Sequence, residues 1–282
     1  MIRFTAIDGT PVCEAELKDR YGVYLDNDSL IELARRDADR RARFLSAIAR
    51  RGTLLFSLAN AIEIAGPQGD SAEAVRDLLD GMGPHWIPLE LNPWKVAERE
   101  QQVGPERAPV SEAFMVAYFQ RRAYDLSPEG SKVLDLSSAF FRLGAVLDWA
   151  QEERDTIRED AEKIDQALRV RLGELRQEFE KEPTSLDRAF PPIPYDPQWP
   201  AAFVFSHLMR TLVGEAKAFQ FKEHDSFDLC HAVVAAGYGS VATLDKQWKR
   251  RIEELPRPNE LATIYYRPQV DDLVRLLEQL TA

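Results

Sequence analysis

From residue 22 to residue 90 the chain alternates short apolar runs with stretches whose apolar positions recur three and four apart. Residues 23–25 read as a strand. Leu30, Leu33 and Ala34, then Phe44, Leu45 and Ile48, place one helix behind it that runs to Arg51. Residues 53–56 read as a second strand, and Ser57 is positioned to cap the helix that carries Glu63. Ser71 opens a helix over 72–82, stopped by Gly81 and Gly83-Pro84. Residues 86–89 read as a third strand, against which Pro88 argues, because proline cannot donate to a ladder.

From about residue 93 to 221 the alternation stops and no strand pattern is present. Residues 111–123 and 136–149 read as helices. Across 151–182, Ile157, Ala161, Ile164, Leu168, Leu172, Leu175 and Phe179 form one narrow stripe on a long amphipathic helix. Such a stripe suits packing on its own domain or against an antiparallel neighbour; a dimerising coiled coil is the lesser alternative, because sustained heptads are too few. Prolines at 183, 191, 192, 194, 197 and 200 make 182–200 an extended connector. Helix resumes over 201–219. A helix from Asp225 to Ala236, ended by Gly237 and Gly239, precedes a strand at 240–244, a helix at 245–254, a strand at 262–266 and a helix at 270–279. The expected fold is α/β, a three-layer α-β-α arrangement with a central, mostly parallel sheet and an all-helical insertion. Residues 1–91 and 222–282 form the two parts of the α/β domain, and 92–221 the insertion.

Charge narrows the chemistry. At a net charge of −11 the chain as a whole repels nucleic acid, so polyanion binding needs a local basic patch and a metal. No apolar run approaches the roughly 20 residues that span a bilayer. Met1-Ile2-Arg3-Phe4-Thr5 lacks a signal-peptide pattern, and Cys13 and Cys230 form no spaced motif. A cytoplasmic protein without membrane association is expected. His85, His207, His224 and His231 have no ligand spacing, which argues against zinc. The absence of a Gly-rich phosphate loop argues against an NTPase or a dinucleotide enzyme.

Four acids stand in distinct contexts. Asp26 and Asp245 each end a short apolar run, where open α/β sheets place ligand sites. Glu63 lies among Ala61, Ile62, Ile64 and Ala65, and Asp228 shares a helix face with His231. Singly, Asp26, Asp225 and Asp245 also read as helix caps, and Glu63 as a solvated helix residue. As a set, converging carboxylates need a cation, and Mg²⁺ or Mn²⁺ suits oxygen ligands.

The order of these motifs resembles the PIN-domain nucleases. The matching pieces are Val23-Tyr24-Leu25-Asp26-Asn27-Asp28, Ser57-Leu58-Ala59-Asn60-Ala61-Ile62-Glu63, Asp228-Leu229-Cys230-His231-Ala232 and Ala242-Thr243-Leu244-Asp245-Lys246. The resemblance covers about residues 20–90 and 222–282 and leaves the helical middle unaddressed. It implies Mg²⁺- or Mn²⁺-dependent phosphodiester hydrolysis, of RNA in most members and of DNA in the alternative. It makes Asp26, Glu63, Asp228 and Asp245 the metal-binding and catalytic acids. Thr243 matches a Thr or Ser common two residues before the last acid. Larger members often carry a further Asp where this chain has Ser240, and Asp225 or Asp28 would be the auxiliary acid in its place.

The chemistry needs no nucleophilic side chain, because a divalent ion neutralises the phosphate and activates water. Lys246, Lys249, Arg250 and Arg251 follow Asp245 and are expected to contact a phosphate backbone, with Trp248 as a stacking platform. The basic residues of 35–51 read instead as a solvated face. A protein inhibitor or a second copy, bound through the insertion, is a further expected partner. Two rivals stand beside the nuclease. One is a catalytically silent PIN-like module that binds RNA or protein. The other is a haloacid-dehalogenase-like phosphatase, which suits Asp26-Asn27-Asp28 and leaves Glu63 unexplained.

Overall fold

The computed structural model describes the chain except residues 1, 8–9, 16, 18, 36, 66–70, 117–141, 217–218, 223–224 and 257; for 2–7, 10–14, 65 and 258 it describes the backbone alone. Residues 117–123 and 136–141 of the expected helices therefore lie outside the described residues. The strands are β1 (Ile2–Ile7), β2 (Thr10–Ala15), β3 (Tyr21–Tyr24), β4 (Gly52–Ser57), β5 (Trp86–Leu89), β6 (Val241–Thr243) and β7 (Thr263–Tyr265). The named helices are α1 (Asn27–Arg35), α2 (Ala38–Arg50), α3 (Leu58–Ala65), α4 (Ala72–Asp80), α5 (Pro93–Val103), α6 (Leu143–Glu152), α7 (Arg154–Lys181), α8 (Ser185–Ala189), α9 (Pro200–Gly214), α10 (Asp225–Tyr238), α11 (Lys246–Glu253) and α12 (Val270–Thr281). The five-stranded sheet is all-parallel, which is consistent with an α/β fold. Chain contacts define two compact units. The first is Met1–Leu89, Val110–Arg154 and Arg267–Ala282; the second is Glu90–Pro109 and Asp155–Tyr266.

In the first unit β4 lies between β3 and β5, with Tyr24 opposite Leu55 and Phe56 opposite Pro88. β4 is buried at every position, so it is apolar without alternation. Pro88 is tolerated because β5 ends the sheet, and an edge strand has a side with no ladder to supply. The single helix expected over 27–51 is two, α1 and α2. Asp37 restarts the helix as an N-cap, accepting from Asp39 N at 2.9 Å and Arg40 N at 3.2 Å. α12 packs on α2, burying Leu273, Val274 and Leu277 at about 1.5–3 kcal/mol each. Arg43 of α2 grips Glu278 at 2.9 Å and Arg40 reaches Asp271 at 3.0 Å. α6 packs on α3 and α4. Gly144 N donates to Asp80 at 2.7 Å, and a Cβ at 144 would meet that oxygen at 2.8 Å, so a larger residue would displace the Asp80 side chain. β1 and β2 form a separate antiparallel hairpin that the pattern reading missed.

In the second unit β6 and β7 are parallel, with Val241 opposite Thr263. Its core is the pair α9 and α10, where Phe203, Val204, Leu208, Leu212, Leu229, Val233 and Ala236 are fully or almost fully buried. Gly237 lies inside α10 rather than stopping it; a Cβ there would sit 3.2 Å from Ala201 N, so it permits α9 to approach. α9 begins at Pro200 with no side-chain cap from Trp199. Glu100 of α5 supplies one from a distance, accepting from Ala201 N at 2.6 Å, Ala202 N at 3.0 Å and Tyr238 Oη at 2.6 Å. Burial raises the pKa of this carboxyl, and the three donors oppose that shift. The stripe on α7 is buried at Leu168, Leu172 and Leu175 within this single chain. The expected extended connector contains the short helix α8. Among the described residues of 92–221 the regular structure is helical, with one isolated antiparallel bridge between Val110 and Leu89. Among the described residues no helix is long and apolar enough to cross a membrane.

Candidate functional site

In the first unit the site residues gather at the carboxyl ends of β3 and β4. Asp26 stands two residues past β3 and caps α1. Its Oδ1 accepts from Ser29 N at 2.8 Å and its carbonyl from Leu30 N at 2.9 Å. The cap reading of Asp26 is thus correct as local structure, and it occupies Oδ1.

Ser57 ends β4 and caps α3 through a reciprocal pair. Its Oγ accepts from Asn60 N at 3.0 Å and donates to Asn60 Oδ1 at 2.8 Å; that same Oδ1 accepts Ser57 N at 3.2 Å. The pair fixes the amide of Asn60, which is buried. Asn60 Nδ2 then donates to Asn27 Oδ1 at 3.2 Å, and Asn27 Nδ2 donates to the Glu63 carboxylate. A relay of amides thus runs from Ser57 through Asn60 and Asn27 to Glu63, which is solvent-exposed beside the residue after Asp26. Asn27 and Asn60 were part of the matched motifs but were assigned no role by sequence reasoning. The Ser-x-x-Asn spacing at a helix start was the available signal, since it places N-cap and third residue in mutual reach.

Asp28 is a poorer auxiliary candidate. Its side chain is 72% exposed and has Arg267 at 3.7 Å.

In the second unit Asp225 and Asp228 share the first turn of α10, where negative charge suits the helix dipole. Asp225 Oδ2 accepts from Lys222 N at 2.6 Å. His231, one turn on, is 9% exposed, and burial lowers its pKa to about 4, so it is neutral at neutral pH. Between them, Ser226 donates to the buried carboxylate of Asp165 on α7, which also holds Arg169 at 2.5 Å. Thr243 is the buried last residue of β6. Asp245 is exposed and caps α11, its Oδ1 accepting from Gln247 N and Trp248 N at 2.9 Å.

The basic cluster after Asp245 is corrected by the same helix. Trp248 is 1% exposed and packs in the core with Ile252 and Leu255, so it offers no face to a base. Arg251 is 7% exposed, paired with Glu215 at 2.7 Å and laid 4.2 Å over the Phe219 ring. Lys249 is bound to Glu253 at 2.6 Å and to Ile264 O at 2.5 Å. Lys246 and Arg250 remain as solvent-facing cations, Arg250 in a 2.8 Å surface pair with Glu254. The pattern Trp248 and Ile252, continued by Leu255 just past the helix, was legible as the apolar face of α11 and would have assigned Trp248 to the core.

Among the described residues no three His, Cys, Asp or Glu side chains are grouped so as to hold a metal ion. The donor chemistry of the four acids is nonetheless that of a hard cation, oxygen alone; burial raises the pKa of the nearby Cys230, which stays a thiol, and His231 is neutral and buried. Comparison with known proteins adds no relative, since no protein-family model, no curated protein and no solved structure matches the chain.

Proposed function

We propose that the chain is a metal-dependent phosphodiester hydrolase of the PIN-like kind, acting on RNA, with Asp26, Glu63, Asp228 and Asp245 as the acids that hold Mg²⁺ or Mn²⁺. The observation that supports it best is the amide relay of the first unit. Structural capping accounts for Ser57 and Asn60, but it gives no reason to orient the exposed Glu63 toward Asn27. Orientation of a carboxylate at the carboxyl end of parallel strands is what a ligand site requires. Asp26 and Asp245 each follow such a strand, and Thr243 matches the motif that precedes the last acid.

In this reading each protein group has a modest task. Asn27 and Asn60 hold Glu63 in place. The caps made by Asp26 and Asp245 fix both backbones while using Oδ1. Lys246 and Arg250 attract the phosphate backbone against a chain charge of −11. The bound ion neutralises phosphate charge and lowers the pKa of water. A second reading, the catalytically silent binding module, is favoured by the absence of a three-acid group among the described residues.

Full-length protein is incubated with single-stranded RNA, with Mn²⁺ and with EDTA. The nuclease reading expects cleavage that EDTA stops, a higher Tm in Mn²⁺, and loss of both in Glu63→Gln. RNA binding with no cleavage and no Mn²⁺ stabilisation selects the silent module.

A further inference from the structure

A cavity of about 470 Å³ lies in the second unit, and the described residues that wall it are Glu215, Phe219, Lys246, Gln247, Arg250 and Arg251. Its size falls in the range of small-ligand sites. Among the described residues the wall carries three cations and one carboxylate, in a strongly acidic chain. That one carboxylate is committed, since Glu215 takes Arg251 Nη2 at 2.7 Å.

Arg251 is the informative residue. It is more than nine-tenths buried, yet Nε and Nη1 have no hydrogen-bond acceptor among the described residues. Its guanidinium carbon lies 4.2 Å from the centre of the Phe219 ring and 5.2 Å from that of Trp248. The rings and Glu215 compensate part of the charge, and the guanidinium held behind Phe219 keeps this wall of the cavity positive. Lys246 makes no ion pair among the described residues, and Arg250 is 72% exposed in a surface pair that competes weakly. Phe219 is half-buried on the cavity wall, with Arg251 over its ring and Phe221 edge-on to it at 6.2 Å. Gln247 adds an amide that can both donate and accept.

We infer that this cavity binds one nucleotide unit, its phosphate on Lys246 and Arg250 and its base on Phe219, with Gln247 at the base edge. The unit is either a free mononucleotide or one nucleotide of a single strand. The cavity deepens the nuclease reading and rests on it only for the strand form. Lys246 directly follows Asp245, so a strand held here lies next to a proposed metal-binding acid.

The test uses the full chain in EDTA. A 5′-mononucleotide, a single-stranded oligonucleotide and inorganic phosphate are titrated by calorimetry, and Tm is measured for every variant. Both nucleotide forms should bind, the oligonucleotide tighter, with phosphate at least tenfold weaker than either. Phe219→Ala should weaken nucleotide binding about tenfold, as loss of one stacking platform does. The double variant Lys246→Ala/Arg250→Ala should weaken it at least tenfold and reduce the oligonucleotide salt slope by about 1.4, or 0.7 for each lost contact. Glu215→Gln, which removes a like charge and keeps an acceptor for Arg251, should tighten binding about threefold. Wild-type protein that binds neither nucleotide form, or binds phosphate as well as nucleotide, overturns the inference. So does a folded Phe219→Ala protein with unchanged affinity. Mononucleotide bound as tightly as oligonucleotide overturns the strand form and supports the free ligand. Mn²⁺-dependent cleavage is scored separately. Binding without cleavage sinks the nuclease reading and leaves the cavity assignment; cleavage with binding indifferent to these variants does the reverse.

Discussion

Asn60→Ala tests whether the relay from Ser57 to Glu63 is structural, functional or both. Asn60 is 1% exposed. Its loss removes two bonds between Oδ1 and Ser57, at 2.8 and 3.2 Å, and the 3.2 Å bond to Asn27. Each bond contributes about 1 kcal/mol net, and a buried Ser57 N–H left without an acceptor costs about 1–3 kcal/mol more. Because the bonds share partners, the sum is not additive and a loss of about 2–4 kcal/mol is expected. At about 2–4 °C per kcal/mol for a chain of this size, Tm should drop by about 4–16 °C. Asn60→Asp separates the two roles. It keeps Oδ1 for Ser57, removes the donor to Asn27 and adds negative charge to the relay. Its Tm should stay closer to wild type while Mn²⁺-dependent RNA cleavage falls at least tenfold. The assays are thermal melting by circular dichroism and single-turnover cleavage of labelled RNA. An Asn60→Ala protein that melts within about 2 °C of wild type would refute the energetic argument. Full cleavage by Asn60→Asp would refute the claim that the relay serves Glu63.

Asp26→Asn and Asp245→Asn should each keep Tm within about 2 °C, since Asn caps as well as Asp, while abolishing cleavage and the Mn²⁺-induced rise in Tm; cleavage that survives both removes these residues from the site. Trp248→Ala should cost about 3–5 kcal/mol in urea unfolding, as a buried large-to-small change does, with RNA affinity of the folded protein unchanged; unchanged stability would place Trp248 on the surface after all. Stability should also depend on pH. Burial lowers His231 from 6.5 to about 4, and burial with the neighbouring Arg20 charge does the same for His85. Between these values the unfolded chain binds protons that the folded chain does not, so stability is complete above pH 6.5 and falls as pH drops toward 4. The loss should reach about 3 kcal/mol for His231 and less for half-buried His85; a urea midpoint that His231→Gln leaves equally steep in pH removes His231 as the cause.

The sheet was legible because parallel strands are buried on both faces. Runs such as Thr53-Leu54-Leu55-Phe56 stay apolar without alternating and end at a capping serine. Even Pro88, which argued against β5, has an account once β5 is seen at the edge. Two local signals were overridden by longer patterns. The apolar stripe from Leu30 to Ile48 reads as one helix, yet Asp37 caps a new one within it. Asp8-Gly9 between apolar runs marks a two-residue hairpin, but β1 and β2 precede the alternating region that drew the fold assignment. Gly237 misled for a different reason. Its lack of a side chain serves α9, thirty-odd residues earlier, rather than the end of its own helix.

The acids themselves were legible as positions and their surroundings were not. Strand-then-Asp follows from local pattern, which put Asp26 and Asp245 at strand ends. What surrounds Glu63 depends on register. β3 and β4 run parallel with Tyr24 opposite Leu55, and that alignment carries Asn27, three residues beyond Tyr24, to the start of α3. There Asn60 can meet it at 3.2 Å. A one-residue slip would turn each strand's buried side chains to the other face and remove that meeting. The basic cluster failed on the opposite count. Its five residues are contiguous enough to look like a patch, but an eight-residue helix has an inner face, and Trp248 and Arg251, three apart, both lie on it. Arg251, the one wall cation that this burial withdraws from the surface, lies behind Phe219, so the misread patch and the cavity share that residue.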